Sequence, residues 1–334
     1  MLMNNRFIQL LITLIYYRSI SMFHSRSVRE IAAGVFVLAL FVAPAFTWAG
    51  KTKQVYVDAH ASGKQDGSSE HPYKTISAGL KSAKHIDELH VANGVYKENI
   101  EIPEDVKLFG EDDDKTIIEA KNNDKPAVIM NHKTTLDKFT VKGGEHGVYV
   151  SKDSRASIVH SIIRDSKKDG IRVRDAKVSD KYAVSIIDSE VMDNNRAGIY
   201  SEKRRVVLIN TFVHDNDNDG VDIATGSKAW IDNNKLSDNR GSGLKVSLDN
   251  STILVAGKNT FRDNKHEGVE INGYGKTGTV SIVKSRFINN KHYGIARIAR
   301  NTNVSNDVWK GFTQKNNIFT SNNSGEVSPI LHIQ

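Results

Sequence analysis

From residue 147 onward the apolar and polar positions recur in a fixed short order. Seven glycines (Gly147, Gly170, Gly198, Gly220, Gly243, Gly268 and Gly294) open Gly-Val-Tyr-Val, Gly-Ile-Arg-Val, Gly-Ile-Tyr-Ser, Gly-Val-Asp-Ile, Gly-Leu-Lys-Val, Gly-Val-Glu-Ile and Gly-Ile-Ala-Arg. Their spacings are 23, 28, 22, 23, 25 and 26 residues. Apolar residues take the first and usually the third place after glycine, which is the alternation of a strand with one face inward. Four residues before each glycine from the second onward stand Ser166, Asn194, Asn216, Asn239, Asn264 and Asn290. Seven before stand Ile163, Val191, Val213, Leu236, Phe261 and Phe287. Self-similarity at this period predicts a solenoid whose coils each give short strands to stacked parallel sheets. Equivalent residues then lie about 4.8 Å apart along the stack. The apolar columns predict the core, and the asparagines an internal ladder bonding amide to amide and to the turn backbone.

The earlier residues fit the start of such a stack. Val55-Tyr56-Val57 reads as a first strand, Ile76, Leu80 and Ala83 have helical spacing, and Val91 to Ile100 and Val106 to Gly110 read as opening coils. Together with the repeat, these segments resemble the right-handed parallel β-helix of the pectin-lyase-like superfamily. The resemblance spans nearly everything after residue 50. It implies an all-β chain: a single right-handed parallel β-helix over 50–300 with a short N-terminal capping helix. Residues 301–334 break the period, and Trp309, Phe312, Ile318 and Phe319 are spaced to lie over the last coil, so a C-terminal cap is expected there.

The first 49 residues predict targeting. Arg29 precedes the apolar run Ile31 to Phe46, and Thr47-Trp48-Ala49 is a small-x-small cleavage site before Gly50. A start at Met22 would leave Arg26 and Arg29 as the positive region of a signal peptide. The alternative is a two-segment membrane anchor, because Phe7 to Tyr17 is also apolar. Either places the remainder outside the cytoplasm, secreted or in the periplasm or cell envelope. The mature chain is expected to have no stable membrane span and to be a monomer. The net charge of +7 contains +3 from Arg6, Arg18, Arg26, Arg29 and Glu30, leaving 7 − 3 = +4 for the rest, with basic residues scattered among acids. That argues against a nucleic-acid partner. The chain has no cysteine, hence no disulfide and no thiolate metal site.

The second place after each glycine points outward, giving one external column of Tyr149, Arg172, Tyr200, Asp222, Lys245, Glu270 and Ala296. The residue before each glycine gives a flanking column of His146, Asp169, Ala197, Asp219, Ser242, Glu267 and Tyr293. Asp219, Asp222, Glu267 and Glu270 therefore surround Lys245. Carboxylates from adjacent coils suit calcium, which takes several oxygen ligands. A lysine among them could abstract the proton beside a sugar carboxylate once its pKa is lowered. The candidate site is thus Lys245 and Arg172 as catalytic groups, Tyr149 and Tyr200 as sugar-binding surfaces, and Asp219, Asp222, Glu267 and Glu270 as calcium ligands.

Asn218-Asp219-Gly220-Val221-Asp222 and Gly241-Ser242-Gly243-Leu244-Lys245 resemble the calcium and lysine-base motifs of lysine-dependent pectate lyases. The resemblance implies calcium ligation by Asp219 and Asp222 and a base at Lys245. Asn218 replaces an aspartate of that pattern, and the interval from Asp222 to Lys245 is one short coil where a longer one is expected. Turn chemistry and cross-strand charge pairing account for the same residues without catalysis: Asp165, Asp193, Asp215, Asp238 and Asp263 already form a column five before the glycines. The histidines, read along the sequence, do not fall into a common column. Two functions stay open. One is a calcium-dependent lyase or C5-epimerase of uronate-containing polysaccharide; the other is a non-catalytic β-helix that binds glycan or serves as a cell-envelope scaffold.

Overall fold

The computed structural model describes residues 52–83, 87–177, 181–300 and 306–332. The expected targeting segment lies outside them. The described residues form a parallel β-helix of three sheets, visited in the order A, B, C on every coil from Glu88 onward. Sheet A has 11 strands, from Gln54–Val57 to Phe312–Lys315. Sheets B and C have 10 each, from Gly94–Lys97 to Ile318–Thr320 and from Ile100–Ile102 to Gly325–His332. The glycine-marked strands are sheet C, and their register is the expected one: Tyr149 pairs with Arg172, Arg172 with Tyr200, Tyr200 with Asp222, Asp222 with Lys245 and Lys245 with Glu270.

Inward residues form unbroken apolar columns. Val148, Ile171, Ile199, Val221, Leu244, Val269 and Ile295 are all fully buried. Phe261, Phe287 and Phe319 stack with ring centroids 5.0 and 4.8 Å apart. Burying large apolar side chains this completely stabilises by about 1.5–3 kcal/mol each.

The corners explain two of the sequence columns. Asp165, Asp193, Asp215, Asp238 and Asp263 all have φ between 53° and 61°, a left-handed conformation that Asp and Asn tolerate better than other side chains. Each turns the chain from sheet B to sheet C. The asparagine one place later points inward and caps that turn. Asn194, Asn216, Asn239, Asn264 and Asn290 each donate Nδ2–H to the amide oxygen of the next coil at 2.8–3.1 Å, ending on Asn322. Glycine is required beside this ladder, because a Cβ on Gly220 would lie 2.7 Å from the Gly243 carbonyl and 2.8 Å from Asn239 Nδ2. A second ladder, not anticipated, runs along the A–B corner, where Thr211, Asn234 and Asn259 accept or donate from coil to coil.

The helix Ile76–Ser82 forms where expected, with Thr75 as its N-cap and Ile76 and Leu80 buried in the core. Glu98 accepts from the Ile76 and Ser77 N–H groups at 2.9 and 3.0 Å, a favourable place for a carboxylate. The C-terminal segment differs from expectation. After the 3-10 helix Asn306–Gly311, its strands Phe312–Lys315, Ile318–Thr320 and Gly325–His332 pair in parallel with the preceding strands of sheets A, B and C. It is one more coil. Phe319 and Asn322 extend the two inner columns, which insertion before residue 306 hides from a fixed period. Among the described residues no helix is long and apolar enough to cross a membrane.

Candidate active site on sheet C

Outward residues of sheet C form a single file, and the flanking column leans against it from the B–C corner. The file divides into two halves of different character.

In the first half the charges are satisfied. Arg172 donates to Asp169 at 3.2 Å and to Glu202, and its guanidinium lies 4.0 Å from the Tyr200 ring centroid. Arg174 donates to Glu202 at 3.1 Å and to the Tyr149 hydroxyl at 2.9 Å. Buried Asp169 also faces His146 at 3.5 Å. Burial opposes the charge on Arg172, but Glu202 and Asp169 outweigh it and hold the guanidinium above its ordinary pKa. Burial likewise pushes the His146 imidazole down against the pull of Asp169. Arg172 is therefore a fixed cation, and one face of Tyr200 is already occupied by it.

In the second half acids outnumber their partners. Asp219 is buried; its Oδ1 accepts the Ser242 N–H at 2.8 Å and its Oδ2 lies 3.5 Å from Lys245 Nζ. Gly241 makes room for this, since a Cβ there would stand 2.5 Å from Asp219 Oδ1. Asp222, between Tyr200 and Lys245 in register, takes no hydrogen bond or ion pair among the described residues. Burial, aided by the charges of Asp219, Glu270 and Asp169 and opposed by Lys245, pushes its carboxyl up to about 7. Burial also raises Asp219, against the pull of Lys245 and the Ser242 N–H. The ammonium of Lys245 is disfavoured by burial, yet Asp219, Asp222 and Glu270 together hold it above its usual value. Both ends of the pair titrate upward because one ammonium cannot offset several crowded carboxyls.

Glu267 and Glu270 stand one coil further on. The Ser242 hydroxyl lies 3.3 Å from Glu267 Oε2 and 3.1 Å from Glu270 Oε2. Glu270 Oε1 accepts from Arg300 at 2.8 Å and from Asn272 at 2.7 Å, while Glu267 Oε1 faces His292 Nδ1 at 3.3 Å. Ser242, Asn272 and Arg300 are therefore parts of the site that the sequence reading did not single out. Ser242 stood in the flanking column, but Arg300 follows its strand by an interval no repeat predicts.

The four candidate calcium ligands are thus brought to one face. They do not draw three ligand oxygens within 4.8 Å of one another; among the described residues such groups occur at His266, Glu267 and His292 and at Asp112, Asp113 and Asp114. Asp219 and Asp222 still suit calcium in donor type, and the excess negative charge that raises both carboxyls is what a cation relieves. Concavities lie elsewhere on the molecule, one against Tyr56, His90 and Phe109 and another around Ser161, Glu190 and Phe212.

A family model described as the right-handed beta helix region matches residues 176–328. Among solved structures, the pectate lyase Pel9A superposes with a TM-score of 0.62 at 12% identity, covering 84% of this chain and 79% of that one. The ORF18 protein of Geobacillus virus E2 superposes with a TM-score of 0.54 at 11% identity, covering 93% of this chain and 63% of that one. No curated protein matches the chain in sequence. The chain has the right-handed parallel β-helix fold that this family model and these solved structures share.

Proposed function

We propose that sheet C from Tyr149 to Glu270 acts on a uronate-containing polysaccharide by proton abstraction beside the sugar carboxylate, as a lyase or C5-epimerase. The observation that carries this reading is Lys245 set among Asp219, Asp222 and Glu270, with Asp222 at about 7 and free of a hydrogen bond or ion pair among the described residues. Shared fold with a pectate lyase supports the substrate class. Calcium held by Asp219 and Asp222 would neutralise those carboxyls together with the uronate's own charge. Relieved of its acidic partners, Lys245 loses what keeps it protonated and becomes able to take the proton from the carbon next to the carboxylate. In elimination the electron pair forms the double bond as the glycosidic oxygen leaves with a proton; in epimerisation a proton returns to the opposite face. Arg172 and Arg174, tied to Asp169, Glu202 and Tyr149, keep the neighbouring file rigid.

The test is incubation of purified protein with pectate and with alginate, with and without calcium. Absorbance of unsaturated product reports elimination, and exchange of solvent hydrogen into the polymer reports epimerisation. Calcium-dependent product that disappears in Lys245→Ala supports the reading; no product and no exchange from either polymer, or equal activity in Lys245→Ala, overturns it.

A non-catalytic glycan-binding or cell-envelope role is favoured by a different observation, the uniformity of the coils. The described residues on either side of the excursion after Val173 are tied down by Arg204, which is fully buried and donates to the carbonyls of Ser154, Arg174, Asp175 and Tyr182. Retention on immobilised pectate or alginate without product would mark that role.

A further inference from the structure

We infer that His266, Glu267 and His292 form a binding site for a divalent cation of the zinc class at the B–C corner of the last coils. This goes beyond the polysaccharide reading and does not depend on it, since neither imidazole serves the proton-abstraction site. The two histidines do share a column: each stands two residues before a repeat glycine, Gly268 and Gly294. The solenoid backbone makes them neighbours, because the His292 N–H donates to the His266 carbonyl at 3.1 Å. Their ring centroids lie 5.3 Å apart with planes inclined by 35°. His292 Nδ1 is 3.3 Å from Glu267 Oε1, and one ligand atom from each of the three residues lies within 4.8 Å of the others.

Two imidazoles and one carboxylate are the donor set of zinc and its first-row neighbours, whereas calcium wants six or more oxygens. Glu267 is fixed for this role. It is 7% exposed, and the Ser242 hydroxyl lies against its Oε2, leaving Oε1 directed at His292. Support of a ligating carboxylate by a neighbouring hydroxyl is what holds such ligands in orientation. Two features leave coordination positions open. His266 is exposed, and the His292 side chain is 45% exposed. Metal–ligand distances of about 2.0–2.2 Å require the donors to close by rotation of these two imidazoles, while the carboxylate and backbone stay in place.

The experiment is titration of untagged, chelator-treated protein with zinc and, separately, with cobalt(II). Isothermal calorimetry should give one zinc ion per chain at sub-millimolar affinity. Cobalt should develop the visible absorption of a nitrogen-and-oxygen site. His266→Ala and His292→Ala should each weaken zinc binding by roughly 10- to 100-fold or more and Glu267→Gln by about 10-fold, with circular dichroism unchanged. A large excess of calcium should not displace zinc. Absence of saturable zinc binding up to millimolar concentration, displacement by calcium, or undiminished binding in the His266→Ala/His292→Ala double variant would overturn the assignment.

Discussion

The two halves of the sheet C file are built by the same repeat yet handle charge in opposite ways. Around Arg172 every carboxylate has a guanidinium, and each guanidinium has more than one partner. Around Lys245 three carboxyls crowd one ammonium, and Asp222 is left without a hydrogen bond or ion pair among the described residues. A stacked ladder aligns charges in both places, so alignment by itself says nothing about function. What separates the halves is whether burial has been compensated. A compensated buried pair is structural. Uncompensated carboxyls are pushed toward neutrality, as Asp222 is, and a carboxyl titrating there can exchange protons.

The contrast is broken most severely at Lys245. Lys245→Ala should lower lyase or epimerase turnover by about 10²- to 10⁴-fold, the range for losing a positioned base, in assays on pectate or alginate. The same kind of change in the first half should act on stability. Arg172→Ala leaves Asp169, whose side chain is 4% exposed, without its guanidinium, and chemical denaturation should show a loss of about 2–4 kcal/mol.

Asp222→Asn should do the reverse and stabilise the protein above neutrality. With Asp222 pushed up to about 7 by burial, the folded state holds a proton that the unfolded chain releases near its ordinary value of 3.8. Stability should therefore fall as pH rises from about 4 to about 7 and level off beyond. The Asn variant should lose that portion of the slope, gaining about 1–2 kcal/mol at pH 8 once partial solvent screening is allowed for, with no gain at pH 3.5. A denaturation series across pH measures this directly, and an unchanged slope would show that Asp222 is ionised throughout. The smallest effect is expected at Tyr149→Phe. It removes one acceptor of Arg174 while the guanidinium keeps Glu202, so a loss of about 0.5–1 kcal/mol should appear in the denaturation midpoint.

Much of this could be read from the chain because a solenoid converts sequence period into spatial adjacency. Once the glycines set the register, the neighbours of Tyr200, Asp222 and Lys245 follow by counting. Asn216 and Asn239 can be placed in one ladder in the same way. The count failed where chain of irregular length intervenes. Phe319 and Asn322 continue the inner columns, but the insertion ahead of Phe312 disguised the last coil as a cap. His266 and His292 stand two places before Gly268 and Gly294, and a column that histidine fills on only two coils does not show as part of the repeat.

The sequence by itself determined the strand period, the inward columns, the left-handed aspartate corners and the identity of the residues on the sheet C file. These depend on local conformational preference and on repetition. Only the tertiary structure decided which of those charges are compensated, because compensation comes from residues outside the repeat, such as Glu202 reaching Arg172 and Arg300 reaching Glu270. It also decided the depth of burial around Asp222, and burial rather than residue type moves a carboxyl from the acid range to neutrality.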